Sequence, residues 1–252
     1  MSDRRVDGNI SQGSRSRLPA AALLLCAVWL PGVIVAAGSL GGSLALTGDY
    51  LVRGISRSNH KAAFQADAHV ATGGGFIGGL FASTVQFDAG DHLNEEFSAF
   101  LGFAWQTQGA WRTKLLASYY SYPWNDSGSR YNYVEIGAEA AYDDWLDIDI
   151  VYSPDAPRDL PTRGLIGVAA KSAEVNLRTP WHRRLAASAG VGYADLSGPN
   201  ADGYVYWSAG GILDLAPWSV SLSYVNTSAR ARNLYYDAAT HDRWTATVIW
   251  RF

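Results

Sequence analysis

The feature that most limits what this chain can fold into is a side-chain repeat of period two. From Gly38 onward, stretches of about ten residues alternate apolar with polar or small side chains, each closed by turn-forming residues. No segment sustains the helical period of about 3.6 residues. Successive side chains of an extended chain point to opposite faces, so each stretch has one apolar and one polar face. Phe64, Ala66, Ala68 and Val70 oppose Gln65, Asp67 and His69. Val134, Ile136, Ala138, Ala140 and Tyr142 oppose Tyr133, Glu135, Gly137 and Glu139, and Leu146, Ile148, Ile150 and Tyr152 oppose Asp147 and Asp149.

Twelve such runs are predicted, at 42–56, 61–72, 75–87, 95–107, 111–122, 131–142, 145–153, 164–177, 183–195, 203–215, 218–227 and 241–252. Their connections alternate in length. Thr72–Gly75, Gln108–Ala110, Tyr142–Asp144, Thr179–His182 and Leu215–Pro217 are tight, while 88–94, 123–130, 154–163, 196–202 and 228–240 are longer and more polar. Short turns at one membrane surface and longer loops at the other produce this pattern, and a soluble sandwich has no reason to. The link Arg57–His60 is the exception, short where an extracellular loop is expected. The expected fold is therefore all-β: an antiparallel transmembrane β-barrel of about twelve strands with both termini periplasmic.

Aromatic placement agrees. Trp105, Trp111, Trp145, Trp181 and Trp218 sit beside tight turns, and Tyr119, Tyr120, Tyr122, Trp124, Tyr131 and Tyr133 cluster at one long loop, where girdles at the two interfaces would fall. Two runs read less cleanly. In 164–177, Lys171 and Glu174 lie on opposite faces, which calls for a bulge or for snorkelling; in 183–195 nearly every residue is small, which suits a crowded lumen or a close neighbour.

The N-terminus reads as a signal peptide. Arg4, Arg5, Arg15 and Arg17 precede an apolar run, Ala20–Leu30, and Val35-Ala36-Ala37 fits a small-residue cleavage site. A membrane anchor over 18–37 is the competing reading, opposed by Pro19, Pro31 and Gly32. Cleavage after 37 leaves one barrel domain, 38–252, removes Cys26 and with it any disulfide, and moves the formal charge from −3 to −5. That acidic balance, with no basic run after Arg17, argues against a nucleic-acid partner. Export and barrel together place the chain in the bacterial outer membrane, with lipid, the barrel-assembly machinery and small solutes as partners.

The last run ends on the final residue. Trp244, Ala246, Val248, Trp250 and Phe252 share one face; Arg243, Thr245, Thr247, Ile249 and Arg251 share the other. A terminal aromatic with apolar residues at alternate positions resembles the signal read by the outer-membrane assembly machinery, and the last strand must close on the first to leave no edge. Near the start, Leu44-Ala45-Leu46-Thr47-Gly48-Asp49-Tyr50-Leu51-Val52-Arg53-Gly54-Ile55-Ser56 resembles the first strand of the TorF-type porin family of proteobacteria, and Gly78–Phe87 resembles a later segment of it. Gly48, Arg57, Phe81 and Thr84 depart from its usual residues. The resemblance implies an outer-membrane barrel of the porin class without naming a solute.

Charge on the lipid face costs about 2–4 kcal/mol at mid-depth, which assigns Asp67, His69, Arg112, Lys114, Glu135, Glu139, Asp147 and Asp149 to the lumen. Glu135, Glu139, Asp147 and Asp149 would form an acidic wall facing Arg112 and Lys114, a constriction that sets ion preference. The function expected is a porin for passive diffusion of small polar or ionic solutes. The alternative is a closed, side-chain-filled barrel with a structural role or a lipid-modifying activity. No GxSxG, HExxH or metal-type cluster appears, and no Ser can be set against the Asp67–His69 pair, so no catalytic residue, cofactor or metal is expected.

Overall fold

A computed structural model describes residues 38–86, 94–106, 109–123, 131–160, 164–196, 203–235 and 240–252. The expected signal peptide, 1–37, lies outside the described residues, as do Trp124 and most of the long links.

Twelve strands form the wall: β1 (Ser39–Thr47), β4 (Ala63–Ala71), β5 (Phe76–Val85), β6 (Asn94–Gln106), β7 (Trp111–Ser121), β8 (Tyr133–Tyr142), β9 (Leu146–Leu160), β10 (Gly164–His182), β11 (Leu185–Leu196), β12 (Tyr204–Leu215), β13 (Trp218–Thr227) and β14 (Arg243–Arg251). Each pairs antiparallel with its sequence neighbour, and β1 pairs with both β4 and β14, so the barrel is closed. At the seam Ser43 faces Arg251 and Thr47 faces Thr247, and the backbones of Gly42 and Phe252 exchange two hydrogen bonds of 3.1 Å. An even count brings both termini to one end, called here the terminal end; the opposite end carries the longer links.

Alternation sorts the side chains as expected. Leu40, Phe64, Leu101, Ile136, Ile150 and Val248 are exposed on the outer face, while Thr47, Gln65, Ser83, Glu139, Asp149, Ser223 and Thr247 are buried on the inner one. Aromatic rings belt both ends. Trp111 and Tyr142 lie 5.0 Å apart and Trp250 and Phe252 5.1 Å apart at the terminal end, and Tyr224 and Trp244 lie 5.4 Å apart towards the other.

Four expectations need correction. The run 42–56 stops as a wall strand at Thr47; Leu51–Val52 (β2) and Ile55–Ser56 (β3) pair only with each other and sit inside the barrel. The link 154–163 is no long loop, because β9 and β10 extend across most of it and leave 161–163 between them. Pro154 and Pro157 read as strand breakers, but β8 pairs with β9 only as far as Tyr152, so both prolines lie where that edge of β9 has no ladder to interrupt. Thr179–His182 likewise belongs to β10, with a register shift at Pro180–His182, and the turn moves to 183–184. Finally, Tyr120, Tyr122 and Tyr133 are not girdle residues: they are buried and point inward, with Tyr120 stacked on Tyr133 at 4.5 Å.

The two difficult runs resolve. Lys171 stays outside and pairs with Asp195 at 3.3 Å, level with Tyr152, while Glu174 is buried inside. On β11, a Cβ at Gly192 would lie 2.2 Å from the Tyr206 ring, so the small inner face accommodates side chains of β12.

Candidate functional site

The inner segment, 48–62, leaves the wall at Thr47 and rejoins it at Ala63, which face each other across the ladder. The wall therefore closes without it. Arg53 and Gly54 form its two-residue turn, both at positive φ (51° and 77°), the geometry that reverses a tight hairpin. Gly54 is required on a second count: a Cβ there would lie 2.6 Å from Thr227 and 2.8 Å from Tyr206.

Asp49 anchors the root. Its carboxylate accepts from Ser56 Oγ (2.6 Å), Ser58 Oγ (2.9 Å) and Arg243 Nη1 (2.8 Å), and lies 3.2 Å from His60 Nδ1. Tyr50 and Val52 pack with Phe81, Val85, Tyr120, Tyr122 and Tyr133 on one side of the lumen. Ile55 packs with Ala194, Tyr204 and Tyr206 on the other, together with Ala231 of the short helix α1 (Ala229–Leu234). The hairpin thus bridges the lumen at the end away from the termini.

Two arginines fix it to the wall. Arg53 Nη2 donates to Glu135 Oε1 at 2.7 Å, and its carbonyl accepts from Tyr204 at 3.1 Å. Arg57 meets Glu96 at 3.3 Å and the Tyr133 hydroxyl at 3.1 Å, and also donates to Tyr122. Glu96, wholly buried, further accepts from Tyr50 at 2.6 Å and from Tyr122. Burial alone would lower both guanidiniums, but Glu135, Tyr133 and Tyr206 around Arg53, and Tyr122, Tyr133 and Glu96 around Arg57, raise them above the ordinary arginine value, so both stay charged.

The residues singled out from the sequence fall in four places along the inner wall and its rim. Lys114 Nζ bonds Glu139 at 2.8 Å; Glu139 faces Asp149 across β8–β9, and Asp149 faces Glu174 across β9–β10, with Asp147 one step nearer the terminal end. Glu135 stands apart from this group, engaged by the hairpin. Arg112 does not face the acidic row; it turns to the rim, to the Asp143 carbonyl and to Asp144 at 3.5 Å. Asp67 and His69 pair at 2.8 Å, and Ser43 donates to Asp67. A serine on the carboxylate rather than on the imidazole is not the nucleophile–base contact that a hydrolase requires. Among the described residues no group of His, Cys, Asp or Glu is arranged to hold a metal ion.

Sequence reading missed Arg53, Arg57 and Glu96. The available signal was the Arg53-Gly54 pair, a turn dipeptide inside a run read as one strand. It also passed over Arg178, Tyr206 and Asp214; Arg178 bonds Asp214, and Tyr206 donates to Glu174 at 2.7 Å.

A family model described as a bacterial protein of unknown function, Gcw_chp, matches residues 36–252. The chain belongs to this family. The Gcw_chp span takes in the whole wall and the inner hairpin. No curated protein matches the chain. Among solved structures, the NanC porin matches with a TM-score of 0.53 at 7% identity, over 84% of this chain and 98% of that one. The KdgM porin matches with a TM-score of 0.49 at 8% identity, over 85% and 99%, and Omp33 of Acinetobacter baumannii with 0.44 at 11%, over 86% and 99%. The NanC likeness is one of fold: this Gcw_chp chain forms a closed, twelve-stranded antiparallel β-barrel similar to that of the NanC porin.

Proposed function

We propose that this Gcw_chp protein is a porin of the bacterial outer membrane, with its termini periplasmic, that passes small polar or ionic solutes past a constriction made by the 48–62 hairpin. The observation that carries this reading is the make-up of the inner wall. Twelve strands enclose more space than eight, which side chains alone can fill. Here the inner wall towards the terminal end carries buried polar and charged residues such as Asp147, Arg178 and Ser219, beside two small apolar clusters, Ile77 with Phe100 and Ala186 with Ile212. The chain spends a separate fifteen-residue segment, 48–62, on narrowing the other end. Membership of the TorF-type group would fit this role, since the resembling stretch 44–56 takes in the first half of the hairpin.

A second reading has its own support. The apolar packing of Val52 on one side of the lumen and Ile55 on the other is what a permanent plug would show. Planar-bilayer recordings separate the two. A porin gives conductance steps that grow when Arg53→Met and Arg57→Met loosen the hairpin; absence of steps from both the natural chain and the double variant, with no solute flux into liposomes, leaves a closed structural barrel.

A further inference from the structure

We propose that the turn between β10 and β11 docks on anionic phospholipid headgroups of the periplasmic leaflet, with Arg183 and Arg184 on the phosphates and Trp181 in the interface beneath them. The sequence there, Thr179-Pro180-Trp181-His182-Arg183-Arg184-Leu185, sets three basic residues in a row after a tryptophan. β10 runs on to His182, whereas its ladder with β9 ends at Leu177 opposite Leu146. The tip of the β10–β11 hairpin therefore projects past the turn that joins β8 to β9.

The tip lies at the boundary of the lipid-facing surface. Leu177, Leu185 and Leu215 are exposed on the outer face of β10, β11 and β12, and Trp145 and Trp218 belong to the aromatic belt of the same end. Trp181 is 83% exposed, the most open large apolar side chain among the described residues. An indole this open beside the belt is placed for headgroup depth, where an amphipathic ring is most stable. His182, Arg183 and Arg184 follow it, all exposed. Along the hairpin, aliphatic side chains thus give way to an aromatic and then to cations, the profile of a membrane boundary.

These two arginines differ from the other cations of this end. Arg112 is held by the Asp143 carbonyl and Asp144, Arg178 by Asp214, and Arg251 by Ser219 at 3.3 Å. Among the described residues, Arg183 and Arg184 have no ion-pair or side-chain hydrogen-bond partner, and the turn itself, 179–185, carries no carboxylate. The Arg184 carbonyl accepts from the Asp214 N–H at 2.8 Å, which fixes the backbone of the turn and leaves its guanidinium for an outside anion. A phosphodiester presents one negative charge on two free oxygens, a match for the forked donors of a guanidinium. Two adjacent arginines favour a headgroup that keeps this charge, as in phosphatidylglycerol, over phosphatidylcholine, whose choline cancels it. Trp181 favours a lipid over a dissolved phosphate, which gains nothing from an indole at the interface. The inference rests on the membrane placement of the barrel with its termini periplasmic, and not on an open lumen.

The test is native mass spectrometry of the full barrel released from detergent micelles that hold equal amounts of phosphatidylglycerol and phosphatidylcholine, with inorganic phosphate as a third probe. Phosphatidylglycerol is expected to be retained over phosphatidylcholine by about fivefold or more, the worth of one basic side chain at a charged surface. Arg183→Gln with Arg184→Gln should lower phosphatidylglycerol retention by about tenfold or more and leave phosphatidylcholine unchanged. Arg183→Lys with Arg184→Lys, which keeps the charge, should restore the preference, and Trp181→Ala should weaken both lipids alike. The substituted side chains are exposed, so the barrel forms in each variant. The proposal is overturned if phosphatidylglycerol is retained no better than phosphatidylcholine, or if the glutamine variant retains it unchanged. It is equally overturned if inorganic phosphate displaces the lipid, which would make the turn a site for a free anion. No conductance enters the measurement, so a closed lumen leaves its outcome untouched, and a conducting barrel without the lipid preference fails this inference alone.

Discussion

Replacing Arg57 by methionine removes the guanidinium that holds the middle of the inner hairpin to the wall and leaves the wall itself intact. The side chain is 17% exposed and its partner Glu96 only 1%, at 3.3 Å. At an effective dielectric of about 20, a pair at that distance attracts by about 5 kcal/mol before desolvation is counted. Truncating one member of a buried pair costs about 3–5 kcal/mol, because the other charge stays behind. Glu96 keeps its donors Tyr50 and Tyr122, which points to the lower figure, about 3 kcal/mol. Since Thr47 and Ala63 close the ladder without the hairpin, this energy should be lost by undocking the segment rather than by unfolding the barrel. Amide hydrogen exchange followed by mass spectrometry is then expected to accelerate by about a hundredfold within 49–60, with the wall strands unchanged. Adding Glu96→Gln, which removes the stranded charge and keeps a partner for Tyr50 and Tyr122, should return exchange to within about tenfold of the natural chain. Exchange in 49–60 that stays within about threefold of the natural rate in Arg57→Met, or an acceleration spread equally over the wall, would refute the reasoning.

Three further outcomes are expected. Asp147→Asn with Asp149→Asn removes two of the carboxylates on the acidic row, so the reversal potential in a salt gradient should shift from cation towards anion preference; an unchanged potential would show that this row does not set selectivity. Leu101, exposed on the outer face midway along β6, should cost about 2–4 kcal/mol when replaced by Arg, read by urea unfolding in lipid vesicles, because the charge would face hydrocarbon. A cost below about 1 kcal/mol would mean that this face is not in lipid. Deleting Phe252 removes the paired backbone contacts to Gly42 and a ring packed on Trp250, and the fraction of chain recovered as heat-modifiable barrel in outer membranes should fall several-fold. Undiminished recovery would separate the terminal aromatic from assembly.

The alternation of side chains determined the wall on its own. Which face a strand residue takes is a local property of period two, so Ile136 outside and Glu139 inside follow from neighbours one residue away. Strand number, closure of 243–251 on 39–47 and the placing of charge inside follow from the same rule combined with the cost of charge in lipid. The hairpin is different. Leu51–Ser56 has the composition of a strand, and nothing in it says that Arg53 will pair with Glu135 or Arg57 with Glu96; the partners lie 82 and 39 residues further along and share a lumen only after the barrel closes. Alternation already set Tyr133 on the face of Glu135 and Glu139; what it could not show is that Tyr122 and Tyr133 meet the hairpin there. The tall β9–β10 pair depended on where β8 stops, which decides that Pro154 and Pro157 interrupt no ladder. Sequence decided which side of the wall each group occupies, and closure of the barrel decided which groups meet inside it.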